Sequence, residues 1–550
     1  MVRRFLSGLT RPIRGLHEAA YLLAGFSVLS QILALFRDHT FAHIFGAGPV
    51  LDAYFAAFKI PDSMFAFLTL FVSSYALVPM LSAREEKDQG ILLGNVLFTF
   101  GLFSILASVA LWFALPHLAP ALFPGFSPKV LKDTIAISRV MLLQPILLGF
   151  SSIATSVVQV LRQFIIYSLA PILYNIGIIV GAVFFYPVMG IAGLGWGVVF
   201  GACLHLAAQM IPILGHAKHI RKPTMASLRA SIVEVALPSM PRALALSAQQ
   251  VLLLVFAGIA SLTAVGTVSA MSFAFNLQSV PLTVIGVSYA AAVFPALATL
   301  FAKKDHEGFV REVWASIRHI VFWTAPAITF IIVLRAHIVR LVLGSGRFSW
   351  DDTRLTAAIL ALFALSLIAQ SVILVFSRGY YAAGKTRTPI IVNLIGAGAA
   401  IAFAGGGVYW IQHAPLVRYF LESILRVTDV PGTSVLMIPL GYSIAMIGTA
   451  IVFAFLFSRD FGKDEHALAN LATSISASVL GAGAAYGILT LLAPRLPLTT
   501  TAGLFAQGVA AGVIGMLVWA AVLILVRSQE FSETVTVIAG RIFKKKSAAP

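Results

Sequence analysis

Residues 35–62 read LFRDHTFAHIFGAGPVLDAYFAAFKIPD. An adjacent Arg37–Asp38 pair, then Asp52 and Lys59, interrupt a region that is otherwise apolar. A charge at the centre of a membrane helix costs roughly 2.5–3.5 kcal/mol on insertion scales, and such residues face a bundle interior or a wet cavity. If this stretch crosses a membrane, its four charges are candidates for function.

Composition says that it does. The 550-residue chain is 59% hydrophobic and 11% charged, with a mean hydropathy of +0.95. Soluble domains are about 45–50% apolar and about 25% charged. A hydrocarbon core takes roughly 20 apolar residues per helix, and runs of that length recur along the whole chain. Only helices and closed barrels satisfy the backbone in lipid, and the short alternating segments of a barrel are absent. An all-α, multi-pass membrane protein is expected. The first apolar run, after MVRRFLSGLTRPIRG, has no small-residue cleavage site and leads into a second span, so it is read as retained. Cys203 is the only cysteine, which excludes an intrachain disulfide and any multi-cysteine metal site. The net charge of +17 is scattered over short loops, and no nucleic-acid partner is expected.

About fourteen spans are expected. Two of them, 51–82 and 267–301, are too long for one straight crossing and contain Pro61 and Pro79, or Pro281 and Pro295, which would kink or end them. An even count puts both termini on one side. Segments on that side hold 25 Lys and Arg against 10 on the other, and basic loops stay cytoplasmic. Both termini are therefore expected in the cytoplasm. An internal repeat is also visible: LDAYFAAFKI (51–60) aligns with VSAMSFAFNL (268–277), six spans apart, with Lys59 opposite Asn276. That separation implies parallel halves with a site between them. The expected division is a lobe of six spans at 1–225, a second at 226–460, and two further spans with a basic tail at 461–550.

On a helix, Asp52 and Lys59 share one stripe about 10 Å apart, suited to lining a common cavity, and Gln31 shares a face with Asp38. The plainer alternative is that Arg37 and Asp38 end a helix at the interface, and that Lys59 snorkels. Arg242, just after Pro238 and Pro241, is either an interface anchor or an inward-facing cation. The HAKH run at 216–219 lies in a basic loop that would repel a metal cation. The glycines of GAGAAIAFAGGG (396–407) suit close helix packing, and GKTRTP (384–389) reads as a turn, lacking the first glycine of a phosphate loop. No loop clusters carboxylates. No catalytic residue, metal or cofactor is expected, and a non-enzymatic protein is indicated.

The stretch SQILALFRDHTFAHIFGAGPVLDAYFAAFKIPD (30–62) resembles the start of the MurJ/MviN lipid II flippases, of the multidrug/oligosaccharidyl-lipid/polysaccharide exporter superfamily. APILYNIGIIVGAVFF (170–185), VPLTVIGVSYAAAVFPALATLF (280–301), GSGRFSWDDTRLTA (344–357) and YYAAGKTRTP (380–389) extend the resemblance. It implies alternating-access transport of an undecaprenyl-pyrophosphate-linked peptidoglycan precursor across a bacterial inner membrane, with fourteen spans and a cationic central cavity. On that pattern Arg37, Asp38, Asp52 and Lys59 match cavity positions; arginine forks suit pyrophosphate oxygens. The chain departs from the family at Gln31 and Asn276, where arginines are usual, and at MFAFLTLF (64–71), where an Arg/Glu-bearing segment is usual. Arg242 is the candidate replacement cation. The thinned cation set leaves an exporter of another lipid-linked oligosaccharide as the rival expectation.

Overall fold

The structure is a computed structural model and describes residues 16–72, 74–213, 224–463, 467–496 and 500–544. Every regular element among the described residues is helical. Among the described residues, eleven helices, or twelve if the bent pair Trp350–Ala364 and Leu367–Ala382 is one span, are long and apolar enough to cross a membrane. The protein is thus the all-α membrane protein that its composition implies. The expected spans near 18–37 and 231–260 fall on the helices Leu16–Phe45 and Met225–Ser261, whose side chains are described only in part and which are not in that count.

The chain forms two compact units. One comprises Met1–Ser269 with Ser345–Ser349, the other Ala270–Gly344 with Trp350–Pro550. In the first unit lie α1 (Leu16–Phe45), α2 (Pro49–Val72), α3 (Ser74–Ser82), α4 (Glu86–Leu122), α5 (Pro128–Met141), α6 (Leu143–Val160), α7 (Phe164–Val180), α8 (Tyr186–Met189), α9 (Ala192–Ile213) and α10 (Met225–Ser261). The helix α2 is central to it, packing against α5, α6 and α10.

Pro61 sits inside α2 without ending it. A proline removes the N–H that would bond the carbonyl four residues back, here that of Ala57. Ser138 on α5 supplies a substitute, its Oγ donating to Ala57 O at 3.3 Å. Pro79 likewise sits inside α3 without ending it. In the second long span Pro281 ends α11 (Thr267–Pro281), and a π-helical turn, Leu282–Val287, follows it before α12 (Ser288–Ala302). Such turns absorb the ladder defect a proline creates.

Helices α7 and α9 approach until their backbones touch. A Cβ on Gly177 would lie 2.2 Å from Gly201 Cα, and one on Gly181 would lie 2.4 Å from Gly197 Cα. These are two four-residue glycine spacings, G-IIV-G and G-VVF-G, facing each other in antiparallel register. Between membrane helices there is no hydrophobic drive, and small residues that admit close backbone packing take its place.

The second unit continues with α13 (His306–Leu343), α14 (Trp350–Ala364), α15 (Leu367–Ala382), α16 (Arg387–Gln412), α17 (Pro415–Leu425), α18 (Met437–Phe461), α19 (Ala467–Leu492), α20 (Thr501–Leu525) and α21 (Gln529–Lys544). Phe309, Phe376, Tyr380, Phe453 and Phe457 from α13, α15 and α18 form its aromatic core. Part of the glycine run on α16 serves packing: Gly396 lies against Thr449 and Gly407 against Met437, both on α18, while Gly398 and Gly406 meet nothing within 4 Å. Gly384 makes the turn of the GKTRTP stretch at φ +72°, a left-handed conformation that glycine adopts without strain.

Candidate functional site

The first unit gathers its charges around the middle of the opening stretch. Arg37 folds over its neighbour, donating to Asp38 Oδ1 from Nε at 3.0 Å and from Nη2 at 2.8 Å. Its third arm, Nη1, donates to Asn175 Oδ1 on α7 at 3.0 Å. The Asn175 amide is itself oriented, its Nδ2 donating to Pro171 O at 3.0 Å. Asp38 is buried and Arg37 only partly so. A guanidinium has five N–H groups, so two remain for a ligand among the described residues.

One turn further along α2, Lys59 and Asp62 stand three residues apart, where helix side chains meet, and their charges act on each other. Asp62 Oδ1 accepts from Gln144 Nε2 of α6 at 3.2 Å. Lys59 is half-buried, and its ammonium makes no hydrogen bond among the described residues. Two tyrosines connect the pairs. Tyr54 and Tyr174 both lie within electrostatic reach of Arg37 and of Asp62. The Tyr174 hydroxyl is buried and has no hydrogen-bond partner among the described residues. Each cation therefore carries an acid on its own helix, which lowers the penalty of holding charge in an apolar bundle. The pairs leave unused donors at Arg37, Lys59 and Tyr174.

Asp52 faces elsewhere. It accepts from Gly266 N at 2.5 Å, from Ser269 N at 2.8 Å and from Ser269 Oγ at 2.6 Å. The two amides are free N–H groups at the start of α11, which a carboxylate satisfies as a cap and through the helix dipole. Asp52 and Lys59 share a stripe, but their partners differ. Gln31 is half-buried on α1, two turns before Asp38. Asn276 lies on α11 in the second unit, its carbonyl accepting from Ser279 Oγ at 2.7 Å. The side chain of Arg242, on α10, and the whole HAKH run lie outside the described residues.

Asp62, Gln144, Tyr174 and Asn175 were not singled out by sequence. The Lys59–Asp62 spacing was a usable signal for the first. For the others the signal was a polar side chain in an apolar run, which does not name its partner. The segment resembling family members at 344–357 begins against the end of α1: Arg347 N donates to His43 O at 3.0 Å, and Ser345 Oγ lies 3.0 Å from His43 Nδ1.

The family model described as Lipid II flippase MurJ matches residues 41–505. The probable lipid II flippase MurJ of Buchnera aphidicola subsp. Acyrthosiphon pisum is 26% identical over 376 residues, which cover 67% of this chain and 73% of the relative. Lipid II flippase MurJ of Burkholderia cenocepacia is 24% identical over 402 residues, covering 69% and 76%. Among solved structures, lipid II flippase MurJ in an inward closed conformation matches with a TM-score of 0.72 at 21% identity, over 92% of this chain and 99% of that one. An inward-facing MATE family multidrug transporter of the MOP superfamily matches with a TM-score of 0.62 at 17% identity, over 81% and 96%. Both structural likenesses are of fold.

Proposed function

The chain belongs to the MurJ family of lipid II flippases, and on that footing we propose that it moves lipid II across a bacterial cytoplasmic membrane by alternating access. The observation that carries this reading is the partly buried cluster of Arg37, Asp38, Lys59, Asp62 and Tyr174, which keeps cationic and hydroxyl donors unused inside an apolar bundle. A pyrophosphate offers many acceptor oxygens, and charge-assisted bonds from an arginine fork and an ammonium are the strong ones. Asp38 and Asp62 orient the cations while the site is empty and can accept from glycan hydroxyls once it is filled. Asp52, Gln31, Asn276 and Arg242 belong to this proposal in a lesser way: Asp52 positions the α11 start, and the others are substrate-binding candidates on the family resemblance alone.

The excess of Lys and Arg on one set of loops supports both termini in the cytoplasm. The alignment of 51–60 with 268–277 supports repeat halves at 1–225 and 226–460 with 461–550 added, and a total of fourteen spans. That is a division by repeat rather than by contact.

The test is competitive binding in native mass spectrometry, with lipid II, undecaprenyl pyrophosphate and a second polyprenyl-linked glycan offered together. Lipid II is expected to be retained selectively. Arg37→Ala is expected to weaken it about tenfold or more, the worth of one charge-assisted bond. Tyr174→Phe is expected to weaken it several-fold without lowering thermal stability, because the lost hydroxyl has no partner to strand. Preference for the second glycan would assign the site to another lipid-linked oligosaccharide.

A further inference from the structure

A group of cations without acid partners among the described residues lies in the second unit, away from this cluster in the sequence. Arg335, two turns before the end of α13, donates from Nη1 to Ile332 O at 3.0 Å and from Nη2 to Leu425 O at 3.5 Å. Arg426 is the next residue, held in the left-handed region at φ +59° as it ends α17. Its Nη2 donates to the Tyr486 hydroxyl of α19 at 3.3 Å. The two guanidinium charges act on each other, so like charges are held together here.

The neighbouring acids are all committed to other cations. Glu422 accepts from Arg418 Nε at 2.7 Å and from the Thr433 hydroxyl. Asp429 takes both arms of Arg354, one at 2.8 Å, and that guanidinium holds its carboxyl down at about 2. Asp351 is 3.6 Å from Arg354 as well. Among the described residues neither Arg335 nor Arg426 has a carboxylate within 4 Å. Two adjacent arginines without an acid are an anion site.

The helix that carries Arg426 says which anion. At 11 residues α17 is about 16 Å long, too short to cross a core of about 30 Å. Leu416, Tyr419, Phe420 and Ile424 form an exposed apolar stripe on it, Leu416 at 84% exposure, while Glu422 and Leu425 are buried on the other side. Tyr409 and Trp410, just before it, are exposed too. A short amphipathic helix with exposed aromatics beside arginines is the composition of an element lying in a membrane interface.

We propose that Arg335 and Arg426, with the Tyr486 hydroxyl, hold the phosphate of an anionic phospholipid whose acyl chains lie along the exposed stripe of α17. The site shares no residue with the proposed lipid II cluster and does not depend on that reading. Such a lipid neutralises the paired guanidiniums and covers the stripe together, which neither a zwitterionic lipid nor a free anion does.

The full chain in detergent is offered phosphatidylglycerol, phosphatidylethanolamine of the same acyl chains, or sodium phosphate alone, and adducts are read by native mass spectrometry. Wild type is expected to retain phosphatidylglycerol over phosphatidylethanolamine. Arg426→Asn is expected to reduce the phosphatidylglycerol adduct about tenfold; asparagine tolerates the left-handed backbone, so the turn is kept while the guanidinium and its bond to Tyr486 are lost. Arg426→Lys, which keeps the charge, is expected to retain most of it and so separates binding from folding. Equal phosphatidylglycerol adducts in wild type and Arg426→Asn would overturn the proposal. So would equal retention of the two lipids, or retention of phosphate alone as strong as that of the lipid.

Discussion

Asp52→Ala is expected to unfold much of the protein in detergent, with a loss of roughly 3–5 kcal/mol read as a large drop in thermal midpoint. The carboxylate is buried and satisfies three donors at the start of α11: Gly266 N, Ser269 N and Ser269 Oγ. Alanine strands them where water does not reach, and each stranded donor costs about 1–3 kcal/mol. Asp52→Asn keeps one acceptor oxygen and is expected to lose less, while also forfeiting the favourable meeting of an anion with a helix N-terminus. The asparagine variant separates two roles for this residue. If Asp52 acts as a cap, folded Asp52→Asn protein binds lipid II as wild type does. Loss of binding with unchanged stability would place Asp52 against the substrate instead.

The second large effect is expected at the α7–α9 contact. Gly177→Val puts a branched side chain where even a Cβ would lie 2.2 Å from Gly201 Cα. Backbone atoms cannot rotate away, so the two helices must separate, and overpacking of this kind costs about 1–3 kcal/mol or more. The consequence reaches the site through Asn175, two residues earlier on α7, whose Oδ1 accepts from Arg37 at 3.0 Å. Thermal stability and lipid II binding are expected to fall together. Gly398→Ala is the control: nothing lies within 4 Å of its Cβ position, and in a helix interior alanine is favoured over glycine by about 0.5–1 kcal/mol. No loss is expected there. A well-behaved Gly177→Val beside wild-type binding would mean that the contact does not position Asn175.

These two cases also mark what the sequence could and could not tell. Composition and apolar run length identify a helical membrane protein because lipid imposes the same demand on every span. Charge inside an apolar run singled out Arg37, Asp38 and Lys59, since such charge is costly to hold there. The same rule singled out Asp52, whose periodicity places it on the stripe of Lys59, while its oxygens go to amides more than 200 residues away in sequence. Periodicity reports the face a side chain shares on its own helix and is silent on the helix opposite. Asn175, Gln144 and Tyr174 were hidden for the same reason: a single polar residue in an apolar run has no local partner to reveal it. The prolines were legible as defects, but not their repair. Pro61 is carried by Ser138 from α5, whereas Pro281 passes into a π turn.

The most direct measurement of the central claim is translocation itself, by the purified chain in proteoliposomes. Lipid II bearing a fluorescent headgroup is loaded into one leaflet, and its arrival in the other is followed with a membrane-impermeant quencher. Wild-type protein is expected to deliver lipid II to the quencher well above the rate of empty vesicles, and Arg37→Ala, folded to the same thermal midpoint, is expected to slow delivery at least about tenfold. Lipid II that stays in its starting leaflet, or crosses equally fast with Arg37→Ala, would contradict the account.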